Sequence, residues 1–228
     1  MPVDTYEPAG AIILASSHPT PALLWTPIAG RPLLAWSVAA CARTAAIAEI
    51  VLLVSGDRLA DAQALVATEG WTRGRVLAGG ARVRDCVEAG LRALDASLKW
   101  VVIHEAARPL ITAETVAAML DLAQAADVDV VMGGAVKETV KRLDNGLVEE
   151  TLPRERLVRA QTPNIFRRER LVEAHVSLPA EREFADEAAL ALAAGLPLYV
   201  FPAPIENIRV ISSVDVAVVE ALLASQPT

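Results

Sequence analysis

Short runs of β-branched and other aliphatic residues alternate along the chain with longer stretches whose apolar positions recur every three or four residues. Residues 11–14 (AIIL), 50–55 (IVLLVS), 75–77, 100–104 (WVVIH) and 128–132 read as strands. Between them, 32–43, 59–69, 83–94 and 113–126 read as helices. In 83–94, Val83, Val87, Leu91 and Leu94 fall on one helical face, and Pro32 fits the first turn of its helix. A strand–helix–strand series needs crossover connections. The expected frame is therefore a mostly parallel sheet with helices on both faces.

The alternation breaks at 136–152, a stretch rich in β-formers and charges centred on Asn145-Gly146. Asn-Gly between such runs is a strong hairpin signal, so a β-hairpin arm is expected here. Its faces are half polar, and a lone two-stranded arm is marginal in water; a second subunit is a natural support. A short strand near 162–166, helices near 168–176 and 186–194, and two strands at 198–201 and 208–211 are expected to complete the sheet. Gly195 and Pro197 stop the second of these helices, and Ser212 with Asp215 forms a capping box for the last one. With no repeat or linker, residues 1–228 read as a single domain plus the arm.

Composition narrows the function. The chain has 228 residues, 54% of them hydrophobic and 4% aromatic, with net charge −7. An acidic chain lacks the basic footprint of sequence-independent nucleic-acid binding, and any anion site must rely on local cations. The two cysteines, Cys41 and Cys86, lie in helical stretches without a CxxC pair, and His18, His104 and His175 are scattered. Neither a zinc site nor a disulfide is implied. The acidic N-terminal stretch is not expected to be a signal peptide, and no apolar run reaches membrane-spanning length, so a cytoplasmic protein is expected.

Ligands of open parallel sheets bind outside the carboxyl ends of the strands. That rule selects the segment after Leu14, the stretch from Gly79 to Cys86, the run from His104 to Pro109 and the turn around 208–212. The run Ile103-His104-Glu105-Ala106-Ala107-Arg108-Pro109 sets an acid and an arginine three residues apart just beyond a strand. The arginine can hold a phosphate bidentately, while the acid can bind a metal or a ribose hydroxyl; a simple strand-end ion pair is the alternative.

These segments together resemble the methylerythritol phosphate cytidylyltransferases of the non-mevalonate isoprenoid pathway. Ile103 to Pro109 is similar to that family's V-H-D-A-A-R-P. Gly79-Gly80, Asp85-Cys86-Val87 and Gly90-Leu91 are similar to G-G-x-x-R-x-x-S-V-x-x-G-L. Residues 136–141 (VKETVK) resemble V-x-D-T-I-K. Pro153-Arg154, Leu157 and Ala160-Gln161-Thr162-Pro163 resemble D-R-x-x-L-W-x-A-Q-T-P. Ala185-Asp186-Glu187-Ala188-Ala189 resembles T-D-D-A-S, and Asn207-Ile208-Arg209-Val210 resembles N-I-K-I.

The resemblance implies a Rossmann-like nucleotidyltransferase domain of α/β class whose β-arm exchanges between two subunits of a homodimer. It implies attack of a phosphorylated sugar alcohol on the α-phosphorus of CTP, with Mg2+ present and pyrophosphate released. Carried over residue by residue, Ala15, Ser16, Gly79, Gly80, Cys86, Glu105 and Ala106 would bind the nucleotide. Arg108, Thr139, Thr162, Arg154 and Arg209 would bind the acceptor, with Thr139 and Arg154 coming from the partner's arm region. Arg154, Arg209 and Glu105 would be the catalytic groups. Arg154, Arg156 and Arg159 form a basic patch that could bind phosphate or face solvent or a second subunit.

The first loop departs from the pattern. The family's L-A-A-G-x-G-x-R-M-G and following P-K-Q become Leu14-Ala15-Ser16-Ser17-His18-Pro19-Thr20-Pro21-Ala22-Leu23-Leu24-Trp25. Glycines are gone, Pro19 and Pro21 carry no N–H, and Leu23 stands at the lysine's place. His18 is the one group there able to become a cation. Glu105 replaces an aspartate, Cys86 a serine, Val83 an arginine, Ala185 a threonine and Arg209 a lysine. The acceptor side is more complete than the nucleotide side. Three readings follow: a divergent or impaired cytidylyltransferase, a non-catalytic ligand-binding or regulatory dimer, or a nucleotidyltransferase for another nucleotide or acceptor.

Overall fold

In the central strands, alternate side chains go to opposite faces, as the period of two requires. The computed structural model describes residues 7–80 and 82–225. β1 (Ala9–Leu14) sends Ala11 and Ile13 into one apolar cluster and Ile12 and Leu14 into the other. A 3-10 turn over Pro21–Trp25 leads to a two-residue ribbon, β2 (Pro27–Ile28) and β3 (Arg31–Pro32), and then α1 (Leu33–Arg43). The ribbon turns through Ala29 and Gly30, with φ of 48° and 83°, the positive-φ pair of a tight two-residue hairpin. Pro32 ends β3 and sits at the N-cap of α1 rather than inside its first turn. Its φ of −55° suits either role, and its pairing with Pro27 selects the strand.

The parallel core continues with β4 (Ile47–Val54), α2 (Leu59–Thr68), β5 (Gly74–Ala78), α3 (Val83–Ala93), β6 (Trp100–Glu105), α4 (Ala113–Ala126) and β7 (Asp129–Ala135). The arm is β8 (Val140–Asp144) and β9 (Leu147–Leu152), joined through Asn145 and Gly146 at φ of 46° and 85°. It forms its own two-stranded sheet and is exposed along nearly its whole length, Leu143, Leu147 and Val148 included. The chain then enters β10 (Val158–Arg167), α5 (Arg168–Ser177), α6 (Glu187–Ala193), β11 (Leu198–Pro202) and α7 (Ser213–Ala224).

The seven-stranded sheet has the order β11-β7-β10-β6-β1-β4-β5. All its pairings are parallel except those of β10, which runs antiparallel to both β6 and β7. The arm causes this reversal: the chain leaves β7 at the carboxyl edge, folds out and back, and re-enters from the same edge. The expected short strand at 162–166 is thus the second half of a ten-residue one. Its ladder with β7 skips from Gln161 to Asn164, and Asn164 Oδ1 accepts the Met132 N–H there (3.0 Å).

Helices α1, α2, α4 and α7 cover one face, and α3, α5 and α6 the other. Gly90 lets α3 lie close on β1, since a Cβ there would meet Ile12 Cδ1 at 2.8 Å. Asp186 caps α6 through Ala189 N–H, and Ser212 with Asp215 forms the capping box of α7. The expected strand at 208–211 is corrected: these residues join no ladder among the described residues. Val210 is buried and Ile208 partly so, packed across the end of the sheet with Val210 N–H bonded to Ala107 O (2.9 Å). Their alternation reflects end-on packing instead of strand pairing.

Candidate active site

The carboxyl ends of β1 and β6 lie side by side where the strand order reverses, the position at which open α/β sheets hold ligands. A cleft enclosing about 790 Å³, part of it open to solvent, lies there. Leu14, His18, Glu105, Arg108, Thr162, Glu187 and Arg209 are among its walls.

A directional hydrogen-bond chain fixes the floor. Glu105 N–H donates to Thr162 Oγ1 (3.0 Å). That oxygen lies 3.2 Å from His104 Nδ1, while His104 Nε2 lies 3.3 Å from the Arg108 carbonyl. A carbonyl only accepts, so Nε2 carries the proton, and Nδ1 accepts the Thr162 hydroxyl proton. His104 is fully buried. Burial, with the nearby Arg108 charge behind it, pushes its pKa down to about 3, which keeps the ring neutral.

Above this floor Glu105 joins two arginines. Its Oε2 accepts Arg108 Nε at 2.8 Å, and its Oε1 lies 2.9 Å from Arg209 Nη2. Arg108, with its side chain 8% exposed, also donates to the Asn207 carbonyl (3.1 Å), and Val210 N–H closes back onto Ala107 O. The side chain of Asn207 reaches Gln161 Oε1 (2.8 Å) and the Thr162 carbonyl (3.0 Å). The loop after β6, β10 and the 207–210 segment are thereby tied into one unit.

The expected nucleotide corner also assembles. Ser16 Oγ lies 3.1 Å from Cys86 Sγ, whose thiol donates to the Gly80 carbonyl at 3.2 Å. A Cβ on Gly79 would sit 2.1 Å from Ser16 Oγ, so any larger residue would push Ser16 out of this arrangement. Burial raises the Cys86 pKa and keeps it a thiol. The Ala15 and Ser16 N–H groups both donate to Leu53 O (2.9 and 3.0 Å). Their amides therefore hold β1 to β4, and Ala106 N–H is likewise held by Leu14 O (2.9 Å). The side chains of this corner offer a base or ribose one hydroxyl and one thiol.

Thr139 and Arg154 are not brought to this cleft. They line a separate hollow at the base of the arm, where Arg154 donates to Lys137 O (2.6 Å). Arg159, grouped with Arg154 and Arg156 from the sequence, instead lies beside Arg108 and Arg209. His18 is no cation. Its Nδ1 accepts Thr20 N–H (3.1 Å), its Nε2 donates to Val210 O (3.0 Å), and burial lowers its pKa. It fastens the first loop to the segment carrying Arg209. Leu23 packs against the core beside Leu24 and Trp25.

His104, Gln161 and Asn207 stood inside the quoted motifs, but sequence reasoning gave none of them a role in the site. A histidine ending an otherwise aliphatic strand was the available signal for the first. On the opposite wall Glu187 is buried and bonded to His175 Nε2 (3.0 Å), and burial raises its pKa. A protein-built metal cage does not fit the cleft. Both Glu105 oxygens are engaged by arginines, and no group of three or more metal-ligating side chains occurs among the described residues. Among those residues, too, no helix is long and apolar enough to cross a membrane.

The model of the IspD family, 2-C-methyl-D-erythritol 4-phosphate cytidylyltransferase, matches residues 18–225. A relative of that name from Cereibacter sphaeroides is 35% identical, over 94% of this chain and 96% of its own. Another from Dehalococcoides mccartyi is 32% identical, over 95% and 96%. The 2-C-methyl-D-erythritol 4-phosphate cytidylyltransferase structure from Thermus thermophilus superimposes with TM-score 0.78 at 26% identity, covering 94% of this chain and 98% of that one. The 4-diphosphocytidyl-2C-methyl-D-erythritol synthase of Anaerococcus prevotii gives TM-score 0.85 at 22% identity, over 96% and 100%, a likeness of fold.

Proposed function

The chain belongs to the 2-C-methyl-D-erythritol 4-phosphate cytidylyltransferase family, and from that premise we propose that it transfers CMP from CTP to 2-C-methyl-D-erythritol 4-phosphate. An acceptor phosphate oxygen forms a bond to the α-phosphorus of CTP, the bond from that phosphorus to the β-phosphate oxygen breaks, and pyrophosphate leaves. The observation that carries the reading is the Arg108–Glu105–Arg209 cluster at the end of β6, on the same carboxyl edge of the sheet as the corner of Ser16, Gly79, Gly80 and Cys86. Such a displacement is mostly positioning and charge stabilisation.

In this reading Arg108 and Arg209 hold the acceptor phosphate, and Glu105 keeps both guanidinium planes in place. Thr162 acts through Glu105, because its hydroxyl is already engaged on both sides. Thr139 and Arg154 come from a partner's arm. The exposed Leu143, Leu147 and Val148 support a homodimer built through residues 136–152. Sedimentation of the full chain against one lacking 140–152 tests this, and equal masses would refute it. Mg2+ accompanying CTP would supply charge neutralisation for the triphosphate; the described side chains of the cleft build no cage for it. The reading places the protein in the cytoplasm.

A second reading has a specific observation behind it. The first loop presents no cation, and its one histidine is neutral and tied to backbone. That favours a chain that binds ligand with little or no turnover. The experiment is pyrophosphate release from purified protein with CTP, 2-C-methyl-D-erythritol 4-phosphate and Mg2+, paired with Arg154→Ala. Turnover lost in the variant supports transfer. No release from a folded protein that still binds the acceptor supports the second reading.

A further inference from the structure

Strand β10 places Arg159 and Gln161 on the same face, since residues two apart along a strand point the same way. Gln161 belongs to the wall of the cleft and is bonded to Asn207. Arg159 is one pleat nearer the rim. The opposing strand makes room for both side chains with glycine: a Cβ on Gly134 would lie 2.6 Å from Gln161 Nε2 and 3.2 Å from Arg159 Nη2. A neighbouring hollow shares Arg108 and Arg209 with the cleft and has Arg159 in its own lining. Among the described residues Arg159 has no acidic partner and no side-chain hydrogen bond, and it is exposed.

We propose that Arg159 is a further phosphate-binding cation of this site, joining Arg108 and Arg209 of the same subunit around a phosphomonoester dianion. This rests on the acceptor-site reading above and adds a residue to it. The sign of the charge supports it. Glu105 cancels one of the two charges on Arg108 and Arg209. Arg159 raises the surplus that one subunit brings to the cluster to two, before the partner arm's Arg154 is added, and a phosphomonoester carries roughly −1.5 to −2 at neutral pH. The three guanidinium groups also differ in freedom. Among the described residues Arg108 is fixed by Glu105 and the Asn207 carbonyl, Arg209 by Glu105 alone, and Arg159 by none, which leaves it able to close on a ligand from the rim.

The test is calorimetric titration of the full chain and its Arg159→Gln, Arg159→Lys and Arg108→Gln variants. The probes are 2-C-methyl-D-erythritol 4-phosphate, glycerol 3-phosphate as a generic phosphomonoester, and CTP. Arg159→Gln should weaken the phosphomonoesters about tenfold, the scale of one partly solvated charge-assisted contact. It should leave CTP affinity unchanged, and Arg159→Lys should recover part of the loss. Phosphomonoester binding by Arg159→Gln equal to wild type, with Arg108→Gln impaired, overturns the proposal and leaves the acceptor site standing. Wild-type binding of glycerol 3-phosphate but not of the methylerythritol ester overturns the acceptor reading, and the Arg159 comparison on glycerol 3-phosphate still decides this proposal. Binding of neither ester overturns both.

Discussion

The neutral His104 makes this fold sensitive to mild acid, and the size of the effect follows from its surroundings. In the unfolded chain an imidazole takes a proton near its ordinary 6.5; in the folded chain burial holds that step down to about 3. Between those values the unfolded state binds more protons, so the contribution of His104 is complete above about pH 6.5 and is lost as pH falls towards 3. Each pH unit is worth about 1.4 kcal/mol. From pH 6.5 to 5.0 the loss is about 2 kcal/mol, ahead of most carboxylate titration. The hydrogen bonds enforce the same sign, because a proton on Nδ1 would face the Thr162 hydroxyl that now donates to it. The assay is urea unfolding of wild type and His104→Gln at intervals from pH 7.5 to 5.0. His104→Gln should be less stable at neutral pH but flatter across the window, by about 2 kcal/mol. His18 and every other titrating group is present in both proteins and cancels in the comparison. Parallel pH dependence of the two proteins would refute the assignment of a buried neutral ring.

Glu105→Gln leaves the nearly buried Arg108 without its counter-charge. Allowing for the partial exposure of Glu105, about 2 kcal/mol of stability should be lost in urea titration, and 2-C-methyl-D-erythritol 4-phosphate should restore part of it. An unchanged midpoint would count against a structural pair. Gly79→Ala drives a methyl group into Ser16 Oγ, so CTP affinity by calorimetry should fall at least tenfold with circular dichroism unchanged; full retention would move the nucleotide corner elsewhere. Leu23→Lys should not bring pyrophosphate release to the level of a family relative with an intact first loop. Its side chain starts from a core-facing position, and the missing glycines and N–H groups stay missing. Full activity from that one change would show the loop to be misjudged.

Much was legible along the chain because it is set locally. The aliphatic runs at β1, β4 and β6, the Asn145-Gly146 turn, the Ser212–Asp215 box and the Gly195 stop each depend on residues within a few positions of one another. The motif around Glu105 and Arg108 was equally visible, since its partners are three residues apart. What the sequence left open depends on contacts between distant segments. The direction of β10 follows from where the arm returns the chain. The non-ladder state of 208–211 follows from which surface Val210 meets, although its alternation is that of a strand. His18 had the composition of a cation and became a backbone tie through Val210, 192 positions away. Arg159 was grouped with its sequence neighbours, and only the pleat of β10 and Gly134 of β7 set it beside Arg108. The sequence by itself determined the elements, their caps and the family motifs. The tertiary structure decided charge state, side-chain partners and which cations share a pocket, because desolvation and Coulomb energies depend on distances in space that chain spacing does not encode.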